Sequence, residues 1–304
     1  MDSPRVSIGL TVYNGEEFFE LTLESFLAQT YRDFELIISD NASTDRTGEI
    51  ARSYAERDVR IRYHRNAKNL GLAGNHNHVV ALARGEYFKW AAADDVCRPD
   101  YLARCVEVLD RDPSVVLAYP KTQFIDSEGK PLDIDDPGWD LRSPAASERL
   151  NSVISSSHWM NAVVGLVRTE ALRKSRLMPS YSGGDYRVLG ELSLLGKFHE
   201  IPEVLFERRI HPGSTSQHES LGMNPDPKWL VRWWTGTDSE VSLPRWSLRI
   251  DHLRTIARSG LPVRQKLSLM RTLLREVRWE RRTLVRELWA GAIAHAPIKR
   301  GGVA

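Results

Sequence analysis

The sequence predicts an α/β fold, in which a mostly parallel sheet with crossover helices is followed by a helical extension at the C-terminal end. Three observations predict it. Strand-like runs alternate with helical patterns through roughly the first 120 residues, as a parallel sheet requires. Beyond Pro244 the pattern is helical throughout. The charge changes with it: residues 225–304 carry 16 Lys and Arg against 7 Asp and Glu, a balance of +9 in a chain whose total is +2.

The elements follow in order. Val6 to Val12 (VSIGLTV) is a β-rich run, and after Asn14-Gly15 a helical pattern carries Phe18, Leu21, Leu23, Phe26 and Leu27. Phe34 to Ser39 (FELIIS) is a second buried strand. The turn Asp40 to Asp45 (DNASTD) offers Ser43 or Thr44 as cap for a helix through Tyr54. Ile61 to His64 is a third strand, Ala73 to Ala83 a helix stopped by Gly85, and Glu86 to Ala91 a fourth strand. Pro99 opens a helix to about Arg111, and Val115 to Tyr119 is the next strand. Residues 121–224 read as a mixed, substrate-shaping half. It has a hairpin signal at Ser127 to Lys130, a polar loop to Pro144, a helix, a strand near Ala162 to Val167 and a helix after Gly184-Asp185. Gly260-Leu261-Pro262 then separates two helices. In the second, Leu267, Met270, Leu274, Val277, Leu284 and Leu288, with Arg281 filling the gap, form a short heptad seam. Three regions result: 1–120, 121–224 and a basic helical extension 225–304.

Composition narrows the function. With 41% apolar residues the 304-residue chain suits a soluble enzyme. The uncharged stretch from Leu288 to Ile298 is 11 residues, short of the ~20 that cross a bilayer. No leader signal precedes the first strand, so a cytoplasmic address is expected. Cys97 and Cys105 read as packing residues. The acidic first part excludes broad nucleic-acid binding, because a phosphate-tracking surface needs the opposite sign.

In open α/β sheets ligands bind beyond the carboxyl ends of the strands. Here those ends are polar: Thr11-Val12-Tyr13-Asn14, Asp40-Asn41 and Asp94-Asp95. An adjacent Asp pair offers hard oxygen ligands to a divalent cation that can bridge a diphosphate, which points to a nucleotide-diphosphate donor.

The ordered stretches VSIGLTVYNGEEFFELTLESFLAQTYRDFELIISDNASTD and NLGLAGNHNHVVALARGEYFKWAAADDVCRPDYL resemble the family 2 glycosyltransferases over roughly residues 5–215. The resemblance implies a GT-A fold with a Rossmann-like sheet. It also implies inverting, metal-dependent transfer of a sugar from a nucleotide diphosphate sugar to an acceptor hydroxyl, in bacterial-type polysaccharide or glycan synthesis. It implies that Thr11 and Tyr13 lie against base and ribose, that Asp40-Asn41 reads the base, and that Asn14, Asn69 and Asp94 join the nucleotide site. An acidic readout favours UDP or dTDP, since the pyrimidine N3–H needs an acceptor. The family's D-x-D motif is reduced here to Ala92-Ala93-Asp94-Asp95. Asp95 and then Asp94 are the implied ligands of Mn²⁺ or Mg²⁺, with His211 as a third ligand or phosphate donor and Arg209 neutralising phosphate. Asp185, in Ser182-Gly183-Gly184-Asp185, is the implied catalytic base. Gly213 to Ser216 could close as a lid over the donor.

Several of these residues have plainer readings. Asp45 is expected to cap a helix rather than bind ligand, Asp185 could do the same, and His76 and His78 read as surface or packing residues. Trp229, Trp233, Trp234 and Trp246 are core as readily as an acceptor platform or a membrane-facing belt. Two other functions compete: a nucleotidyltransferase, which lacks its glycine-rich triphosphate loop here, and a catalytically silent nucleotide-sugar-binding module. The basic tail is expected to form a homodimer through its seam, the plainer reading being a solvated helix packed on its own catalytic domain. It also allows peripheral contact with an anionic membrane face if the acceptor is lipid-linked.

Overall fold

The computed structural model describes residues 3–136, 138–139, 141–156, 159–214, 227–237 and 243–294, with the side chains of 227–230 and 290–294 outside the description. The first half follows the expected alternation. It comprises β1 (Val6–Val12), α1 (Phe19–Leu27), β2 (Phe34–Asp40), α2 (Thr47–Arg57), β3 (Ile61–Arg65), α3 (Gly71–Leu82), β4 (Tyr87–Ala92), β5 (Val96–Cys97), α4 (Tyr101–Arg111) and β6 (Val115–Ile125). The second half adds α5 (Ala146–Ile154), a 3₁₀ turn (Asn161–Val164), β7 (Leu166–Arg168), α6 (Thr169–Lys174), α7 (Gly184–Leu195) and β8 (Lys197–Arg209). Four helices end the described chain: α8 (Pro227–Thr235), α9 (Pro244–Arg258), α10 (Val263–Trp279) and α11 (Arg281–Ala294).

One sheet runs β3-β2-β1-β4-β7-β6-β8-β5, parallel except where β7 opposes β4 and β6 and where β5 opposes β8. β1 and β2 have buried residues on both faces, as a parallel sheet covered on both sides demands. On one face Ile8, Leu10, Leu36 and Ile38 pack with Phe19, Leu23 and Phe26 of α1, Ile50 of α2 and Leu102 and Leu109 of α4. On the other, Ile37, Phe88 and Trp90 meet Val79 and Val80 of α3 and Val188, Leu189 and Leu192 of α7. Gly9 permits that second contact, since a Cβ there would come within 2.7 Å of both Phe88 and Val79.

Three expectations are corrected. Neither Ser43 nor Thr44 caps α2; Asp45 accepts from Thr47 N (3.0 Å), and Ser43 Oγ instead accepts from Asn14 N. The strand expected at Ala162 to Val167 is a 3₁₀ turn followed by the three-residue β7. The heptad seam does not continue: the helix breaks at Glu280, Leu284 is buried, and Leu267, Leu274 and Leu288 are exposed. What packs instead is Leu269 and Leu273, against Leu150, Ile154 and Ile256. The extension is therefore seated on α5 of its own chain. Asp251 of α9 reinforces this, accepting from Arg176 (2.8 Å) and from Tyr181 Oη (2.7 Å), with Arg187 at 3.4 Å.

The tail also reaches the start of α3 in the first half through two interlocked glycines. Gly71 (φ +71°) and Gly236 (φ +72°) face each other. A Cβ on Gly71 would stand 2.4 Å from the Thr235 carbonyl carbon, and one on Gly236 would stand 2.5 Å from Gly71 N. Gly236→Ala therefore combines left-handed strain with a backbone clash, and is expected to cost roughly 1–3 kcal/mol in urea unfolding. An unchanged midpoint would mean that the contact does not hold in solution.

Near Asp251, His252 is 1% exposed, and burial, with Arg249 beside it, pushes its imidazolium down to about 3. Its folded pKa thus lies below the unfolded value, so the stability it carries is complete above about pH 6.5 and is lost as pH falls toward 3. The expected slope is about 1.4 kcal/mol per pH unit within that window. Equilibrium unfolding of the wild type and His252→Leu between pH 7 and 4.5 checks it, and the variant should show the shallower dependence.

Candidate active site

Register brings the polar strand ends together. Val12 pairs with Asp40 and Thr11 with Ala92, so Tyr13, Asn41 and Asp94 leave the sheet at one edge. Two of these loops are zipped to each other. Asn14 adopts φ +50°, a conformation Asn tolerates; its Oδ1 accepts from Thr44 N (2.8 Å), and Gly15 N donates to Thr47 Oγ1 (2.9 Å). Glu16 N donates to Asp45 while Arg46 N donates back to Glu16. Tyr13 is left 41% exposed at this edge, and Thr11 Oγ1 stands 3.4 Å from His76 Nδ1. His76 is a packing residue, its carbonyl accepting from Trp90 Nε1.

The expected base readers are engaged elsewhere. Asp40 is fully buried, and its carboxylate accepts from Ser43 N (2.8 Å), Tyr63 Oη (2.8 Å) and Arg65 (2.7 Å). Asn41, 3% exposed, donates to Asn69 Oδ1 and Gly71 O and accepts from Asn66 and Leu70 N. All of its amide capacity is used. In this geometry the two buried side chains brace the loop. Asn69 is shared with this network, its Oδ1 also accepting from Gly71 N (2.8 Å).

The charged centre lies beyond β4. Asp94 Oδ2 is 3.0 Å from His211 Nε2, and the imidazole packs 4.8 Å from the Phe18 ring. Asp95 Oδ1 accepts from Arg209 N (3.0 Å), and its carbonyl accepts from Thr22 Oγ1 (2.8 Å). Burial and the neighbouring charge of Asp94 hold the Asp95 carboxyl up to about 7. Asp94 and His211 bring an oxygen and a nitrogen donor together, with Asp95 next in the chain. Among the described residues no group of three or more such side chains is placed to hold a metal ion.

Arg209, the expected phosphate partner, is held within the protein. It is 4% exposed, lies over Phe18 (4.7 Å), and donates to the carbonyls of Asp94 (3.0 Å), Asp126 (3.0 Å) and Ser127 (3.3 Å). It braces the Asp94-Asp95 turn. Its neighbour Arg208 faces the opposite side of β8, stacks over Trp159 (5.2 Å), donates to Asn161 Oδ1 (2.8 Å) and places its charge where it favours ionised Asp95. Sequence reading reaches Arg208 only as the start of the segment Arg208 to Ser214 and gives it no role.

A residue that sequence reading missed is Lys89, 1% exposed within β4. Its ammonium lies over the Tyr101 ring (4.3 Å) and donates to Tyr101 Oη (3.1 Å) and to the Val164 carbonyl, joining β4 to the 3₁₀ turn of the second half. Burial pulls its pKa down. Cys97 and Cys105 are buried packing residues, as expected, with thiols pushed up to about 11 and about 12. Asp185 sits apart from the Asp94-Asp95 turn in sequence, in the first turn of α7, after Gly183 at φ +82°, with Oδ1 accepting from Tyr186 N (3.1 Å). Ser214 is described, whereas Thr215 and Ser216 of the expected lid lie outside the described residues. Trp246 packs inward, donating to Leu284 O (3.1 Å), and Trp234 lies against the second core cluster; the Trp229 side chain is outside the description.

A mostly parallel sheet whose aligned strand ends carry paired carboxylates, extended by a mixed second half, is the architecture of the GT-A glycosyltransferases. The chain belongs to glycosyl transferase family 2, whose profile matches residues 7–160. It is 30% identical over 214 residues to chondroitin synthase of Escherichia coli, covering 70% of this chain and 30% of that one. The chain thus spans under a third of that relative's length. Among solved structures, residues 1–349 of Staphylococcus aureus TarS with UDP-GlcNAc superpose with a TM-score of 0.66 at 16% identity, covering 89% of this chain and 71% of that one. A Pyrobaculum calidifontis mannosyltransferase with GDP-Man and Mn²⁺ superposes with a TM-score of 0.58 at 17% identity, covering 97% and 77%. Both likenesses are of fold.

Proposed function

We propose that the chain transfers a sugar from a uridine or thymidine diphosphate sugar to an acceptor hydroxyl, with inversion, in the synthesis of a glycan or polysaccharide. The observation that carries this reading is the Asp94–His211 pair just beyond β4, with Asp95 next in the chain, beside the strand ends of β1 and β2. In it residues 1–120 hold the donor, residues 121–224 carry the acceptor side, and the basic helices are an extension.

Thr11 and exposed Tyr13 lie against the nucleoside, Asn14 and Asn69 shape its loop, and Asp40 and Asn41 brace that loop from behind. Asp94, Asp95 and His211 would hold Mn²⁺ or Mg²⁺, whose charge offsets that developing on the leaving diphosphate. Arg208 adds a fixed positive charge on the same side. Asp185 accepts the proton from the attacking hydroxyl, a role typically worth ~10²- to 10⁴-fold in rate. The pyrimidine preference rests on the family resemblance and on the UDP-GlcNAc bound by TarS, while the mannosyltransferase neighbour binds GDP-Man on the same fold.

The test is donor hydrolysis. Incubation with UDP-, dTDP- and GDP-sugars, with Mn²⁺ and then with excess chelator, should release nucleoside diphosphate from a pyrimidine donor only when the cation is present. Release from GDP-sugars alone would move the base assignment. Binding without release under any condition would favour the silent binding module, and pyrophosphate release from nucleoside triphosphates would favour the nucleotidyltransferase.

A further inference from the structure

The C-terminal helices present a second apolar face that the fold does not use. In α10, Leu269 and Leu273 point inward, yet Val263, Leu267, Met270 and Leu274 are 71%, 50%, 38% and 64% exposed. At 3.6 residues per turn these four fall within about 60° of one another, and Arg264, Arg271, Arg275 and Arg278 fall together along one border of that stripe. All four arginines are exposed. Helix α11 repeats the arrangement, with Val285, Leu288 and Trp289 (67%) exposed among Arg281, Arg282 and Arg286, and Trp279 at the junction is 85% exposed.

The acids of this region are turned away from that face. Between residues 263 and 289 stand eight Lys and Arg against Glu276, Glu280 and Glu287. Glu280 pairs with Arg249 (2.7 Å) and Arg245 (3.2 Å) of α9, and Glu287 accepts from the backbone of Arg245 and Trp246. Glu276 is taken by Arg275. What remains outward is an apolar stripe bordered by guanidinium groups and exposed tryptophans.

We propose that this face of α10 and α11 seats the protein on an anionic lipid surface. Apolar side chains enter the headgroup boundary, arginines meet lipid phosphates and tryptophans settle at the polar interface. A second copy of the chain fits less well. The apolar stripe of α10 ends at the break before α11, and two such faces would bring rows of arginine together. No described helix is long and apolar enough to cross a membrane, so the helices lie along the surface. None of the residues assigned to the transfer site lies on them, so this inference stands or falls apart from the transfer reading.

Sedimentation of the full chain with vesicles tests it. The expected result is at least tenfold tighter binding to phosphatidylglycerol/phosphatidylcholine vesicles than to phosphatidylcholine alone, weakened by 0.5 M salt. Leu267→Ser combined with Leu274→Ser should lose binding at least tenfold, and so should Arg271→Glu combined with Arg278→Glu. Both exchanges are at exposed positions, so the melting temperature should be unchanged. Equal binding to neutral vesicles overturns the proposal, as does retention by both double variants. A wild-type dimer in light scattering that Leu267→Ser/Leu274→Ser converts to a monomer would assign the face to a second copy instead.

Discussion

Asp95→Asn is expected to reduce transfer by at least about 10²- to 10³-fold, the scale seen when one electrostatic stabiliser is removed from an active site, while the protein stays folded. The asparagine Oδ1 can still accept from Arg209 N, and the bond from Thr22 goes to the backbone carbonyl, so the turn keeps its supports. What disappears is the negative charge. That charge is unfavourable to the folded chain, because enclosure and Asp94 hold the carboxyl up to about 7. At pH 8 the variant should therefore melt no lower than the wild type. Its cost falls on cation-dependent nucleotide binding, which calorimetry with a nucleoside diphosphate and Mn²⁺ measures directly. Unchanged affinity together with unchanged turnover would show that Asp95 is not a ligand. Asp94→Asn is less discriminating, since it also disturbs the Asp94–His211 pair.

The parts of this fold that could be read from the sequence are those where burial dictates composition. VSIGLTV and FELIIS are buried on both faces, so their residue types leave little alternative to a central parallel strand. β8 was not legible, because KFHEIPEVLFERR has Pro202 at its centre and charges at half of its positions. Its pairing with β6 accommodates these by shifting register around Pro120 and Lys121. That omission had a consequence for the site. In Arg208-Arg209 the two guanidinium groups leave opposite faces of a strand, and only the register of β8 decides which one faces Asp95 and which one braces the turn. The two-residue β5 is too short to leave a pattern.

At Asp40 the limit was of another kind. Residue type announced an acceptor at a strand end, but Tyr63 and Arg65 come from β3, and their hold on the carboxylate is a tertiary fact. The seam from Leu267 to Leu288 shows the same limit in helices. Its spacing is regular through Arg281, yet the break at Glu280 rotates Leu284 into the protein and leaves Leu288 outside.

Asp185→Asn is expected to keep donor affinity and lose about 10²- to 10⁴-fold in transfer. Two roles compete at this position, and the amide separates them. As a structural residue Asp185 supports the first turn of α7, where its Oδ1 accepts from Tyr186 N and its charge faces the positive end of the helix. Asparagine retains the acceptor for Tyr186 N and loses the charge that faces the helix end, a contribution of about 0.3–1 kcal/mol at such a site. A purely structural Asp185 therefore predicts a slightly lower melting temperature and near-wild-type turnover. As a general base it predicts the reverse balance, because an amide cannot take the hydroxyl proton and no small change in stability replaces that transfer. Measuring kcat for transfer beside the dissociation constant of the intact donor distinguishes the two: a fall in kcat with an unchanged donor constant locates the defect in the chemical step. Slow hydrolysis of the donor by water provides the control, since a variant that binds donor and cation normally still possesses the proposed donor site. Near-full turnover in Asp185→Asn would return this carboxylate to the first turn of α7 and require the base to be sought on another element of the second half.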